Sequence, residues 1–227
     1  ANGALMRLTP LAVWAAGQPK TVVAEMAARD AQLSHPAPVC QDASIIYCLV
    51  IRHLINHPGD AAGAVQVAEE WAREYCDASV ASWVCQDSLD LSSLDATHNI
   101  GWCKWAIILS IGLLRQKASY TEGIIQTLMA GGDTDTNAAI VGGVLGALHG
   151  QQAIPEAMRT AVLSYGLPGT RHPPGACRGH TRPEWLTPGK VLPAVMPKLV
   201  AWAQNQMPQS GGLPAPELPQ LQDEDDD

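Results

Sequence analysis

The chain has 227 residues, 47% of them hydrophobic, so it is long enough to bury one core without requiring a second domain. Its 22 acidic and 14 basic residues give a net charge of −8. Nucleic-acid affinity comes mostly from clustered Lys and Arg, so this charge balance argues against a nucleic-acid-binding surface.

The composition divides the chain into a domain and a tail. Residues 1–207 are predicted to form one domain, and residues 208–227 a disordered acidic tail, because its closing run of like charge repels itself. No stretch approaches the ~18 consecutive apolar residues that span a bilayer, and the first residues lack a basic-then-apolar secretory pattern. We therefore expect a soluble cytoplasmic protein without membrane contact; the sequence does not indicate an oligomeric state.

Six cysteines are spread along the chain without the Cys-x-x-Cys pairing that zinc sites and redox motifs favour. We expect them to be mostly reduced, buried, small apolar groups rather than disulfides. They are Cys40, Cys48, Cys76, Cys85, Cys103 and Cys177.

Apolar residues recur at three- and four-residue steps between Gly and Pro breaks, and this pattern predicts helices along most of the chain. The run at 102–116 is apolar nearly all round, so it is predicted to be a central helix. Alternating strand patterns are hard to find, and the predicted fold is an all-α bundle. In chain order the predicted helices are 5–16, 19–32, 39–56, 61–78, 102–116, 121–129, 136–148, 155–164 and 191–206, with a Gly/Pro-rich loop at 166–183.

The strongest local signal is a polar turn behind two glycines at the start of the helix predicted at 136–148. Asp133 and Asp135 alternate there with Thr134 and Thr136. Carboxylates and a hydroxyl are hard oxygen ligands that suit Mg²⁺ or Mn²⁺, which bind few protein groups and keep several waters. The spacing therefore indicates a metal site at a helix start.

A simpler interpretation is that Asp133 or Thr134 caps the helix and opposes its dipole. On spacing alone, capping is the more frequent explanation. A cap needs only one such residue, however, and this turn supplies four after a glycine pair that lets the backbone approach a ligand. The surplus of polar groups favours a ligand site.

Four segments, in order, resemble motifs of the ADP-ribosylglycohydrolase family. Gly131–Ile140, which reads Gly-Gly-Asp-Thr-Asp-Thr-Asn-Ala-Ala-Ile before a helix of small residues, is similar to the family's C-terminal signature. Asn2–Pro10 resembles its Asn-Gly-x-x-Met-Arg segment, Ser34–Pro36 its Thr/Ser-His turn, and Gly101–Trp102 its Gly-aromatic element. The resemblance covers roughly positions 1–165.

This resemblance implies an ADP-ribosylglycohydrolase-like orthogonal helical bundle around a dinuclear Mg²⁺ centre, with Mn²⁺ as an alternative metal. Asp133, Asp135 and Thr136 would be metal ligands. The substrate would be ADP-ribose or an ADP-ribosylated protein, cleaved at an N- or O-glycosidic bond through an oxocarbenium-like state.

The resemblance also implies substrate-binding residues. Asn2 and Gly3 would contact the ribose or diphosphate, His35 would line the same cleft, and Trp102 would cover the adenine-side ribose. The glycine pair and the first threonine of the signature complete the set: Asn2, Gly3, His35, Trp102, Gly131, Gly132 and Thr134. Each of three residues has an ordinary structural explanation if the resemblance is set aside. Asn2 is equally consistent with a helix cap, His35 with a hydrogen-bonded turn residue, and Trp102 with a core aromatic.

Other charged residues are expected to be structural. Arg7 and Lys104 are predicted to be surface groups with packed stems, and Glu69 and Glu70 to lie on the solvated face of a helix.

The family pattern includes an N-terminal segment with a Gly-Asp-x-x-Gly turn and a Thr/Ser-Asp-Asp motif, and nothing in this sequence matches it. No catalytic acid is therefore assigned. If the chain is complete, we expect weak or absent hydrolysis in isolation; if it is a fragment, or pairs with another chain, we expect full activity. The main alternative is a non-catalytic ADP-ribose binder or structural relic of the family. A second is an unrelated helical scaffold in which the polar turn only caps a helix.

Overall fold

The computed structural model describes residues 1–86, 90–165 and 187–205. This part of the chain contains α-helices and short 3₁₀ turns and no β-strand, which confirms the all-α prediction. The 3₁₀ turns are Leu5–Arg7, Leu91–Ser93 and Gln151–Ala153. The α-helices are α1 (Thr9–Trp14), α2 (Lys20–Gln32), α3 (Pro38–Asn56), α4 (Ala61–Tyr75), α5 (Ala78–Val84), α6 (Cys103–Arg115), α7 (Tyr120–Met129), α8 (Thr134–His149), α9 (Glu156–Ser164) and α10 (Pro188–Asn205).

Two helices form the centre of the bundle. Helix α3 packs against α1, α2, α4 and α8, and α6 packs against α4, α5 and α8. Nine of the 13 residues of α6 are buried, as its nearly all-apolar sequence predicts. Helix α8 lies against α3, α6 and α7, so the segment that carries the polar turn is anchored in the core.

Among the described helices, α3 is long and apolar enough by length and composition to cross a membrane. The sequence prediction had found no such stretch because Asp42 and Arg52 interrupt the apolar run. The buried residues of α3, including Ile46, Tyr47 and Leu54, pack against neighbouring helices of the bundle. This burial is typical of a core helix.

Two predicted helices have different limits from those that the sequence pattern indicated. The helix predicted at 5–16 is a 3₁₀ turn followed by α1, because Pro10 lies in the first turn of α1, where its missing N–H is not needed. The helix predicted at 61–78 ends at Tyr75. Asp77 starts α5 instead: its carboxylate accepts from the Ser79 backbone N–H at 2.8 Å, and its own N–H donates to Asp42 at 2.8 Å.

Glu69 is not on a solvated face, so that prediction was wrong. Its carboxylate accepts from Arg115 at 2.6 Å and from Arg73 at 2.8 Å, and its side chain is 18% exposed. Burial alone raises the pKa of Glu69, but the two arginines outweigh it and hold the pKa below its ordinary value. The residue joins α4 to α6.

The five cysteines in the described part of the chain are free thiols, three of them buried. Cys177, the predicted loop at 166–183 and the predicted tail at 208–227 lie outside the described residues. The last predicted helix is present as α10, which packs on α1 and α9.

Candidate functional site

The polar turn is positioned by the glycine pair that links α7 to α8. Gly131 and Gly132 have φ of 73° and 72°, a left-handed conformation that side chains disfavour. A Cβ at Gly131 would stand 3.0 Å from Thr97 Cγ2, and one at Gly132 would overlap the Ala96 carbonyl. Ala96 N also donates to Ala130 O at 2.8 Å. The two glycines therefore make room for residues 96 and 97, which pack directly against them. Contact of the glycines with substrate stays a prediction.

Helix α8 begins two residues earlier than predicted, so Thr134, Asp135 and Thr136 form its first turn rather than the approach to it. Asp135 is exposed, and the two threonines are half-buried. Three polar side chains thus lie together at a helix N-terminus, where the dipole favours negative charge.

Asp133 holds the N-cap position of α8 without a side-chain capping hydrogen bond of good geometry, although the Thr136 backbone N–H is close enough to help lower the pKa of Asp133. The Asp133 carboxylate accepts from Asn2 Nδ2 at 2.9 Å. This bond is the largest cause of a pKa of Asp133 below its ordinary value; burial opposes the shift, and Thr136 and Asp135 assist it. The carboxylate is therefore ionised at neutral pH and directed toward the N-terminal segment.

Asn2 joins three separate segments of the chain. It is 5% exposed. Its backbone N–H donates to Gly101 O at 2.6 Å, and its side-chain amide donates to Asn137 Oδ1 at 3.3 Å as well as to Asp133. A Cβ at Gly101, whose φ is 82°, would lie 3.8 Å from Asp133 Oδ2. The alternative of Asn2 as a simple helix cap is wrong, since its amide bonds across the fold.

His35 lies beside the same N-terminal segment. A Cβ at Gly3 would stand 2.8 Å from His35 Cε1 and 3.0 Å from Nε2, so the absence of a side chain there lets the imidazole rest on the backbone. Burial is the largest cause of a lowered pKa of His35, and the positive charge of Arg7 acts in the same direction. His35 thus packs beside Gly3; that these residues line a substrate cleft stays a prediction.

Trp102 precedes α6 and follows the glycine that Asn2 contacts. Its ring packs edge-on against Trp83 and Trp105, with centroids 5.4 and 6.0 Å apart, and Lys104 Nζ stands 5.1 Å from its centre. These contacts agree with the interpretation of Trp102 as a packed aromatic. Covering a ribose stays a prediction for its half-buried edge.

The donor set at the start of α8 fits one side of a magnesium site. Two carboxylates and a hydroxyl are hard oxygen donors, and Mg²⁺ in proteins is held by one or two carboxylates together with waters. Within the described ranges, no group of three or more His, Cys, Asp or Glu side chains is placed to hold a metal ion. Asp133 and Asp135 therefore have no third side chain of these types grouped with them in the described part of the chain.

The sequence assigned no site role to three residues of this site, although it placed Gly101 and Asn137 in the family motifs. Asn137 belongs to the family signature but was given no role of its own. It is 1% exposed, and its amide oxygen accepts a hydrogen bond from the Asn2 side chain. Gly101 and Ala96 supply the backbone that closes around the turn. A polar side chain at the buried position four residues after Asp133 was the available signal, because a buried amide needs a partner.

Two cavities in the described part lie away from this turn. One is lined by Gly59, Asp60, Lys117 and His149, near the C-terminal end of α8, and the other lies between α9 and α10. Neither contains a residue predicted to bind substrate or metal.

Fold and site together define an all-α protein with an acidic helix start held by an N-terminal asparagine. The chain belongs to the ADP-ribosylglycohydrolase family, whose model matches residues 1–172. A protein of Acanthamoeba polyphaga mimivirus, provisionally named an ADP-ribosyl glycohydrolase, is 29% identical over 180 residues, which are 72% of this chain and 54% of that protein. The chain thus spans about half the length of this curated relative. No solved structure matches the chain.

Proposed function

We propose that this chain takes part in Mg²⁺-dependent removal of ADP-ribose from modified proteins or related ADP-ribosyl compounds, by hydrolysis of an N- or O-glycosidic bond. The observation that supports it best is that Asn2 joins two distant segments, since it donates both to the Asp133 carboxylate at the start of α8 and to the Gly101 carbonyl. The segments are distant in sequence, and a helix cap at Asp133 would not require contact between them. A cytoplasmic location is part of the same proposal and rests on composition alone.

Asp133, Asp135 and Thr136 are the residues that would hold Mg²⁺, or Mn²⁺ in its place. The bound ion would supply electrostatic stabilisation and orientation of substrate oxygens. Asn2 would keep one Asp133 oxygen engaged and the carboxylate in a fixed orientation, as hydrogen-bond partners of metal ligands commonly do.

A second candidate function is ADP-ribose binding without turnover. The observation that favours it is the pairing of Asp133 with Asp135, without a third acidic, His or Cys side chain beside them in the described part of the chain. Glycoside hydrolysis by carboxylates usually needs an acid and a second carboxylate flanking the bond. Binding and turnover are therefore measured separately.

The test is calorimetric titration of ADP-ribose into the chain with and without Mg²⁺, followed by hydrolysis assays on an ADP-ribosylated peptide. Asp133→Ala/Asp135→Ala removes the carboxylate pair. Asp77→Ala/Asp90→Ala is the matched control, since it deletes two acidic residues that each cap another helical segment. We expect binding that strengthens with Mg²⁺ and is lost only in the first variant.

Each result has a distinct meaning. Metal-dependent binding with turnover supports the hydrolase, and the same binding without turnover supports the binder. Equal behaviour of the two double variants, or no binding by the unmodified chain in either condition, contradicts both candidates.

A further inference from the structure

Helix α7 has one face packed against α8 and another face exposed. On the packed face, a Cβ at Gly123 would overlap Leu145 Cδ1 of α8. On the exposed face, Ile125, Leu128 and Met129 are neighbours at i, i+3 and i+4 spacing and are 51%, 48% and 81% exposed. Single exposed apolar residues are ordinary, but three large ones side by side on a helix are typical of a binding surface.

The exposed face of α7 ends beside the candidate site. Met129 is the last residue of α7 and lies four positions before Asp133. The loop that leads to α6 contacts the same helix, through its turn Leu91–Ser93 and through Ala96 N, which donates to Ala130 O at 2.8 Å. The exposed apolar residues, this loop and the polar turn are therefore neighbours.

The segments around this surface carry an excess of negative charge. Residues 90–102 and 118–148 contain no Lys or Arg. Their ionisable side chains are those of Asp90, Asp95, His98, Glu122, Asp133 and Asp135.

Three of these carboxylates belong to local turns and caps. The hydroxyl and the backbone N–H of the residue two positions on hold the pKa of Asp90 and of Asp95 below its ordinary value. The same two groups of Ser119 do so for Glu122. All three are exposed and ionised at neutral pH, so the surface attracts a positively charged partner and repels a negatively charged one.

The proposed substrate identifies the partner that covers this surface. The bond to be cleaved joins ADP-ribose to a side chain of the modified protein, so the backbone of that protein must pass within one side-chain length of the site. A polypeptide that leaves the polar turn along α7 meets apolar side chains with carboxylates beside them.

We propose that the exposed face of α7, formed by Ile125, Leu128 and Met129, is the docking surface for the modified protein. It selects a segment that carries an apolar residue and Lys or Arg residues next to the ADP-ribosylated side chain. Burial of the apolar residues supplies affinity, and the carboxylates disfavour acidic segments. The inference rests on the proposed function for the ADP-ribose and on α7 for the polypeptide.

The first test compares two synthetic peptides that carry ADP-ribose through the same non-hydrolysable linkage. One has Leu and Lys beside the modified residue, and the other has Glu in place of each Lys; free ADP-ribose is the reference. Calorimetric titration with Mg²⁺ should show about tenfold tighter binding of the basic peptide at low ionic strength. The difference should shrink as salt screens the charges.

The second test removes the apolar face. Ile125→Ser/Met129→Ser should weaken binding of the basic peptide about tenfold and leave binding of free ADP-ribose unchanged, because the nucleotide does not reach α7. Val195→Ser/Met196→Ser is the matched control, since these residues are 49% and 41% exposed on α10. It should alter neither affinity.

The third test removes charge and keeps the caps. Asp90→Asn/Glu122→Gln retains an oxygen at each position and deletes two negative charges, so the ratio of the two peptide affinities should fall about threefold. Glu25→Gln/Glu70→Gln deletes two exposed carboxylates of α2 and α4 and should leave the ratio unchanged.

Three results would overturn the inference, and they differ in what they mean for the proposed function. If free ADP-ribose binds but the two peptides bind equally, or the α10 control loses as much affinity as the α7 variant, the docking surface is wrong and the proposed function stands. Sedimentation that shows a dimer, dissociated by Ile125→Ser/Met129→Ser, would assign this face to a second copy of the chain. A chain that binds neither ADP-ribose nor either peptide contradicts the proposed function and the inference together.

Discussion

Helices α7 and α8 are neighbours in sequence and in space, but they begin in different ways. At α7, Ser119 Oγ accepts from Glu122 N at 3.3 Å and the Glu122 carboxylate accepts from Ser119 N at 3.0 Å, a reciprocal capping box. At α8, the Asp133 carboxylate bonds instead to Asn2, 131 positions away.

The difference separates a structural helix start from a candidate functional one. The cap of α7 satisfies orphan backbone groups with residues three positions apart, and it needs nothing else from the fold. At α8 the polar side chains exceed what a cap requires, and one of them is held by a buried amide from another segment. Variants that act on only one of the two helix starts test this distinction.

The largest effect is expected at the approach to α8. Gly132→Ala places a side chain at a φ of 72° and against the Ala96 carbonyl, so we expect a loss of about 3 kcal/mol or more in the free energy of unfolding. Gly146→Ala in the same helix has open space around its Cβ and should stabilise by up to about 1 kcal/mol. Urea denaturation of both variants measures the contrast, and equal stabilities would contradict the close packing of the 96–97 segment on the glycines.

A smaller and more selective effect separates the two caps. Ser119→Ala should cost about 1 kcal/mol and leave Mn²⁺ binding unchanged. Asp133→Asn keeps an oxygen for Asn2 and a good capping residue, so it should cost less than about 0.5 kcal/mol while weakening Mn²⁺ binding.

Denaturation curves, together with electron paramagnetic resonance of bound Mn²⁺, check both values. Asp133→Asn that leaves both the stability and the Mn²⁺ binding of the unmodified chain unchanged would reduce Asp133 to an ordinary cap.

The smallest effect is a change in two titration curves. Asn2 lowers the pKa of Asp133, and Ser119 lowers the pKa of Glu122. A carboxyl whose pKa is lowered by folding adds stability above its unfolded pKa, and that stability is lost as the pH falls through the folded pKa. Asn2→Ala should therefore raise the pKa of Asp133 toward its ordinary value and leave Glu122 unaffected.

Ser119→Ala should produce the reverse pattern, with a raised pKa at Glu122 only. Carbon-detected NMR of the side-chain carboxyl groups follows each curve separately. If Asn2→Ala leaves the Asp133 curve in place, the bond between the two residues is not what lowers the pKa of Asp133.

Apolar periodicity predicted most helices well. The predicted limits of α2, α3, α6, α7 and α9 each lie within one residue of the observed ones. Errors arose where a side chain decided the boundary, as at Asp77, which starts α5 inside a helix predicted to run on. Glu69 was misjudged because its arginine partner on α6 is 46 positions distant.

The sequence by itself determined the all-α class, the order of the helices apart from α5, and the polar turn at 133–136, because these depend on residues within a few positions of one another. Three features depended on the tertiary structure alone. Asn2 donates to Asp133, Asn137 accepts from the same Asn2 amide, and the Ala96 carbonyl leaves no room for a side chain at position 132. The physical reason is that a buried polar group needs a hydrogen-bond partner within about 3 Å, and helix packing decides which residue supplies it. Local sequence patterns do not contain this information, because the partner is distant in sequence.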